Sequence, residues 1–151
     1  MTGVLTGIGI LIIGASQFSH NGYLISTLQD RLLQQGASVA TYGACASIPE
    51  TWLSPRPVRC GTAVRIDGGP VKEDHSSTAM SWSVTDLIHR HHPQLVIIGI
   101  ADTLAGYAAT QVPTGWVKDQ VRSLVPRFHG STPITLPGRF CRSSCGRRGL
   151  G

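Results

Sequence analysis

The sequence predicts an α/β domain built on a parallel sheet. Two patterns carry that expectation. Residues 10–13 (Ile-Leu-Ile-Ile), 37–42 and 95–98 (Leu-Val-Ile-Ile) are short runs rich in β-formers, and each is followed by glycine: Gly14, Gly43 and Gly99. Continuous apolar runs of this length suit strands buried on both faces. Between and after them lie segments with helical spacing, and alternating strands and helices favour parallel pairing.

The elements follow in order. After Gly14 a polar turn runs to Gly22, and a helix is expected over residues 23–35. Leu24, Leu28 and Leu32 recur at four-residue spacing and form one stripe. Ser19 or Asn21 is the expected cap, and Gly36 sits where a left-handed residue ends a helix. Residues 44–83 are the least regular stretch: Pro49, Pro55, Pro57 and Pro70, with Gly61, Gly68 and Gly69, interrupt any long element. A loop of that length in a compact domain is usually functional or irregularly packed. Residues 83–92 predict a short helix stopped by Pro93. A third helix is expected over 115–125, with Val117, Val121 and Leu124 on one face and Thr114 as its cap. Gly7 and Gly9 precede the first strand and lack a third glycine at the right spacing, so they are no dinucleotide fingerprint.

At 151 residues the chain suits one domain. It is long enough to bury about 68–70% of its unfolded surface. Charged residues are only 14%, which sets it apart from disordered polyelectrolytes. No run of 18 apolar residues occurs, so no membrane span is expected. Residues 1–18 lack the basic start of a secretory signal, so in an exported protein the signal would lie upstream of Met1. The net charge is +5, but Arg139, Arg142, Arg147 and Arg148 lie in the last thirteen residues, and without those four the remainder carries +1. A basic face belonging to the fold would not be confined to one end, so no nucleic-acid partner is expected.

The organisation expected is a partial domain over residues 1–130 and an irregular basic tail over 131–151. A fourth buried strand is due after the third helix. The last thirteen residues instead hold four Arg, three Gly, two Cys and two Ser without helical or strand period. That mixture is what a GC-rich gene yields when read out of frame. The alternative is a genuine disordered basic tail.

The carboxyl ends of the strands are where a parallel sheet places its ligand site. Ser16, in Gly14-Ala15-Ser16, falls there. Small neighbours admit a substrate, and a following helix N-terminus helps hold an anion. A serine after a strand is also an ordinary turn residue. Gly43 offers a backbone N–H unobstructed by a side chain. Gly99-Ile100-Ala101-Asp102 places a small residue and a carboxylate at the same rim.

These three turns, in this order, resemble the blocks of the SGNH, or GDSL-type, serine hydrolases. The resemblance spans about residues 10–126. It implies a three-layer flavodoxin-like fold, incomplete at its carboxyl end. It also implies a serine esterase acting on O-acyl esters, such as acetyl esters, of a small molecule or carbohydrate. On it, Ser16 is the nucleophile, the N–H groups of Ser16 and Gly43 hold the oxyanion, and Asp102 is a structural or hydrogen-bonding partner at the rim. No cofactor or metal is implied.

Three departures stand out. Ala15 replaces the family aspartate. Ala101 replaces the asparagine of the oxyanion hole, and losing one such donor costs roughly 10²–10³ in rate. The family's Asp-x-x-His, which supplies the base, does not follow the third block, and without a base a serine hydroxyl is a weak nucleophile. Little or no turnover is therefore expected of this chain. The alternative is an inactive relative that binds a glycan or other ligand.

Asp86-Leu87-Ile88-His89 has the right spacing but precedes the third block, and it reads as a solvated helix face. His89, His91 and His92 have no evident carboxylate or cysteine ligand nearby at a fitting spacing. His20 lies nearer the rim, but no orienting acid is visible for it in sequence. Cys45 and Cys60 bracket the Pro-rich loop. In an exported member of the family they would staple it, worth about 3 kcal/mol in the loop-entropy model. In a cytoplasmic protein they would be free thiols. Periplasmic or secreted localisation goes with the first case. Cys141 and Cys145 form a lone Cys-x-x-x-Cys, a weak zinc signal. Trp52, Trp82 and Trp116 read as core or cleft-wall residues, with Trp52 in the loop where a sugar platform would lie.

Overall fold

The computed structural model describes residues 3–100, 111, 113–128 and 134–135. Among the described residues six strands form one sheet: β1 (Gly9–Gly14), β2 (Ser38–Ala44), β3 (Thr62–Ile66), β4 (Lys72–Asp74), β5 (Leu95–Gly99) and β6 (Ile134–Thr135). Three α-helices, α1 (Leu24–Gln34), α2 (Val84–His91) and α3 (Thr114–Leu124), connect or flank them. The strand order is β4-β3-β2-β1-β5-β6.

The sheet is mixed, which corrects the expectation of a purely parallel one. β1 pairs in parallel with β2 and β5, and β5 with β6. β3 then returns antiparallel to β2, and β4 antiparallel to β3. The reason lies in residues 44–83, expected to be irregular. Asp67 and Gly68 adopt positive φ angles of 45° and 75° and turn the chain back on itself. β4 is exposed along its whole length and holds no apolar residue, so it leaves no hydrophobic signature.

The central strands are buried for the reason their composition suggests. Side chains alternate between faces. Ile10, Ile12, Val39 and Ile97 lie on the face covered by Leu28, Leu32 and Leu33 of α1. Leu11, Ile13, Tyr42, Val96 and Ile98 face the opposite way, against Val84 and Leu87 of α2 and Leu124 of α3. Helices thus cover both faces of the sheet, giving three layers.

The helices fall within one or two residues of expectation, but their caps differ. Tyr23 precedes α1 without a side-chain cap, and Asn21 instead accepts a 3.0 Å bond from Ser26. Thr114 is the first helical residue of α3, with Pro113 at its cap position. Gly36 does take the left-handed conformation, at φ +88°, and a β-carbon there would press on Thr6. The segment read as irregular tail includes the two residues of β6, paired with Val96 and Ile97. No helix among the described residues is long and apolar enough to cross a membrane.

The hairpin β3–β4 is tied down by polar contacts. Gln29, fully buried on α1, donates from its amide nitrogen to Thr41 Oγ1 at 2.7 Å, Arg65 O at 2.9 Å and Val39 O at 3.3 Å. Its amide oxygen accepts from Gly68 N–H. Arg65 pairs with Asp30 at 2.8 Å and donates to the carbonyls of Gly69 and Ser26. At the other end, Cys45 and Cys60 form a disulfide with a Cα–Cα distance of 5.4 Å.

Candidate functional site

β1 lies between β2 and β5, so the chain leaves β1 toward one side and later returns on the other. That is a topological switch point, where open α/β sheets place ligands beyond the carboxyl ends of their strands. Here those ends are three glycines in register: Gly14 is paired with Gly43 on one side and with Gly99 on the other. Gly43 lies inside β2, one residue before its end, rather than after the strand as expected.

The glycine row has a packing cause. Immediately after Gly14 and Ala15 the chain forms a 3-10 turn, Ser16–Phe18. Phe18 is buried back onto the face that α1 covers. A β-carbon on Gly14 would overlap the Phe18 ring, and one on Gly99 would come within 2.6 Å of it. A β-carbon on Gly43 would overlap the Phe18 carbonyl, which is backbone and cannot rotate aside. Only strands that end without side chains let the turn sit this low.

Hydrogen bonds fix the turn. Ala15 N–H donates to the Gly99 carbonyl at 2.9 Å, joining the ends of β1 and β5. Phe18 N–H donates to Ala15 O at 3.0 Å. The Ser16 carbonyl accepts from Ser19 N–H at 3.1 Å and from the fully buried Ser19 hydroxyl at 3.0 Å. Ser16 itself is half-buried at the start of the turn. Structure therefore brings Ser16, Gly43 and Gly99 to one rim. Ala101 and Asp102 lie outside the described residues, as do Cys141 and Cys145.

The other singled-out residues separate by location. Asp86 and His89 are exposed on α2. The carboxyl end of that helix leads to Gln94, whose side chain accepts from Gly9 N–H at 2.6 Å at the opposite end of β1. His91 also lies at that opposite end. Its Nε2 is 2.8 Å from the Tyr42 hydroxyl, and its pKa is lowered, chiefly by burial and then by Arg90. Trp52 is fully buried and its ring stacks near Trp82 at 6.4 Å, so it is a core residue and not an exposed sugar platform. Trp116 is exposed on α3, which corrects its expectation as a core residue.

Sequence reading missed the acidic neighbour of His20. The β3–β4 hairpin carries Glu73 and His75 to the loop that follows the Ser16 turn. Glu73 Oε1 accepts from Asn21 N–H at 2.6 Å. The His20 and His75 rings stack at 5.5 Å with an 18° angle between planes. Beside them, Asp74 is held below the usual carboxylate range by the hydroxyl and backbone N–H of Ser76. No local pattern in the sequence links positions 20, 73 and 75; only the hairpin does.

The fold and rim define an α/β domain with a serine-bearing turn at its switch point. No family model matches the chain. It is similar to Protein BcsX of Komagataeibacter xylinus, with 37% identity over 125 residues. The match takes in 82% of this chain and 48% of that protein, so the chain spans about half the length of this relative. A DUF4886 family protein from Bacteroides uniformis, known from a crystal structure, aligns with 85% of this chain and 48% of its own, at 14% identity and a TM-score of 0.44.

Proposed function

We propose that this chain is the core of an SGNH-type serine ester hydrolase, acting on O-acyl esters of a small molecule or carbohydrate. The observation that carries the reading is the Ser16 turn, seated at the switch point on the row of Gly14, Gly43 and Gly99. The three-layer arrangement with parallel order β2-β1-β5-β6 is consistent with the flavodoxin-like architecture of that class. In this reading Ser16 attacks the acyl carbon. The Ser16 N–H stabilises the oxyanion, and Asp102 is assigned a hydrogen-bonding role. The Gly43 N–H, expected to share the oxyanion, falls at a hydrogen-bonded position of the β2–β3 ladder opposite Ala63, so Gly43 serves by giving the turn room. A backbone donor held by a hydrogen-bonded turn needs little reorganisation as charge develops.

The group this reading lacks is the base. No Asp-x-x-His follows Gly99 in this sequence. Turnover is accordingly expected to be low. The test is labelling with a fluorophosphonate probe. Slow labelling that disappears in Ser16→Ala supports the nucleophile. Labelling that is absent, or unchanged in Ser16→Ala, overturns it. Translating the source gene past codon 130 in all three frames complements this. An apolar strand followed by Asp-x-x-His in another frame would mark this chain as a frameshifted copy.

Ala101, in place of an oxyanion asparagine, favours a second reading: a domain that binds an acylated glycan without cleaving it. In that case Ser16→Ala leaves ligand affinity intact and no probe labelling is seen.

A further inference from the structure

We infer that His20, Glu73 and His75 form a binding site for a transition-metal ion of the zinc class, at the rim of the sheet. The inference is independent of any chemistry at Ser16. One nitrogen from each histidine and one oxygen from Glu73 all lie within 4.8 Å of one another. His75 Nε2 is 3.7 Å from Glu73 Oε2. Ligands of a tetrahedral zinc ion stand about 3.3 Å apart, given bond lengths of about 2.0–2.1 Å. The His20 and His75 rings are stacked, and a shared ion must lie in the plane of each, so ring rotation has to accompany closure of the set; these partly or fully exposed side chains are able to make it.

Glu73 is already oriented. Glu73 Oε1 is engaged by Asn21 N–H, which leaves Oε2 toward His75. Outer contacts of this kind aim metal ligands and raise affinity. Gly61 has φ +101°, and a β-carbon there would overlap His75 Nδ1. The lack of that carbon seats the His75 ring with Nε2 on the Glu73 side. Gly61 follows Cys60, whose disulfide to Cys45 anchors this end of the hairpin. The site thus joins the loop after the Ser16 turn to β4, two segments more than fifty residues apart.

Donor chemistry selects the ion. Two imidazoles and one carboxylate suit zinc, nickel or copper, whereas calcium and magnesium prefer all-oxygen shells. Three protein ligands leave a fourth position for water or an external ligand.

The test is calorimetric titration of the full-length protein with zinc sulfate. One ion per chain is expected. His20→Ala, Glu73→Gln and His75→Ala should each weaken binding by at least about tenfold. His89→Ala/His92→Ala and Cys141→Ser/Cys145→Ser should bind as the parent does. Circular dichroism without zinc checks that the variants fold, which their exposed positions favour. The inference is overturned if the parent binds no zinc, if His20→Ala/His75→Ala binds as the parent does, or if binding is lost in the Cys141→Ser/Cys145→Ser variant.

Discussion

The two halves of the sheet are held together by different physics. β1, β2 and β5 are parallel, apolar on both faces and sandwiched between helices. Hydrophobic burial, at about 25 cal/mol per Å² of apolar surface, is their main support. The β3–β4 hairpin is antiparallel, and β4 is wholly exposed. It is fastened by Gln29, Arg65, the Asn21–Glu73 bond and one disulfide. The first half provides a rigid floor for the Ser16 turn. The second brings polar, titratable side chains to the edge of that floor. A rigid scaffold combined with a polar, separately anchored appendage is a common way to assemble a site.

The sharpest way to break the floor is Gly43→Val. Its side chain would collide with the Phe18 backbone, so the turn must lift. A loss of about 3 kcal/mol, the upper end of the usual overpacking cost, is expected in chemical denaturation, together with loss of any Ser16 probe labelling. The hairpin should respond to a different insult. Cys45→Ser/Cys60→Ser, or reduction, removes a link across 15 residues of chain. The expected cost is about 2–3 kcal/mol by the loop-entropy model, with faster proteolysis between those positions. Equal stability of the reduced and oxidised protein would mean that the polar ties suffice alone.

Gln29→Leu sharpens the comparison further. It removes the donor shared by Thr41 and the carbonyls of Val39 and Arg65, and it strands Gly68 N–H. A loss of about 1–3 kcal/mol is expected, because buried groups are left unpaired. Hydrogen exchange should quicken more in β3 than in β1.

The smallest expected effect is one of pH. Burial lowers the folded-state pKa of His91 below the ordinary imidazole value of about 6.5. The folded state therefore binds fewer protons than the unfolded state in the window below that value. This contribution to stability is full above the unfolded pKa and is lost as pH falls through the folded pKa. Thermal melts from pH 8 toward pH 5, as about the useful range for a histidine, should show a modest decline that is reduced in His91→Gln. An identical decline in that variant would assign the effect elsewhere.

Much of the scaffold was legible. Residues 10–13 and 95–98 could be read as buried strands because a run of aliphatic side chains carries that message locally. The Leu24-Leu28-Leu32 stripe did the same for α1. The rim at Ser16 followed from knowing where such strands end. The hairpin was not legible, since Lys72–Asp74 has the composition of a loop. It is a strand because β3 supplies its hydrogen-bonding partner. His20 could be placed near the rim, but its acidic neighbour could not.

What the sequence determined alone is therefore what short-range periodicity encodes: three buried strands, three helices and glycines at the strand ends. The tertiary structure decided the rest. It added an antiparallel hairpin to a parallel core, gave the three glycines a common cause in Phe18, and set Glu73 and His75 beside His20. The physical reason is range. Periodicity reports the burial of a residue's own surroundings, whereas the Phe18 seat and the His20–Glu73–His75 cluster exist only once segments far apart in the chain have packed.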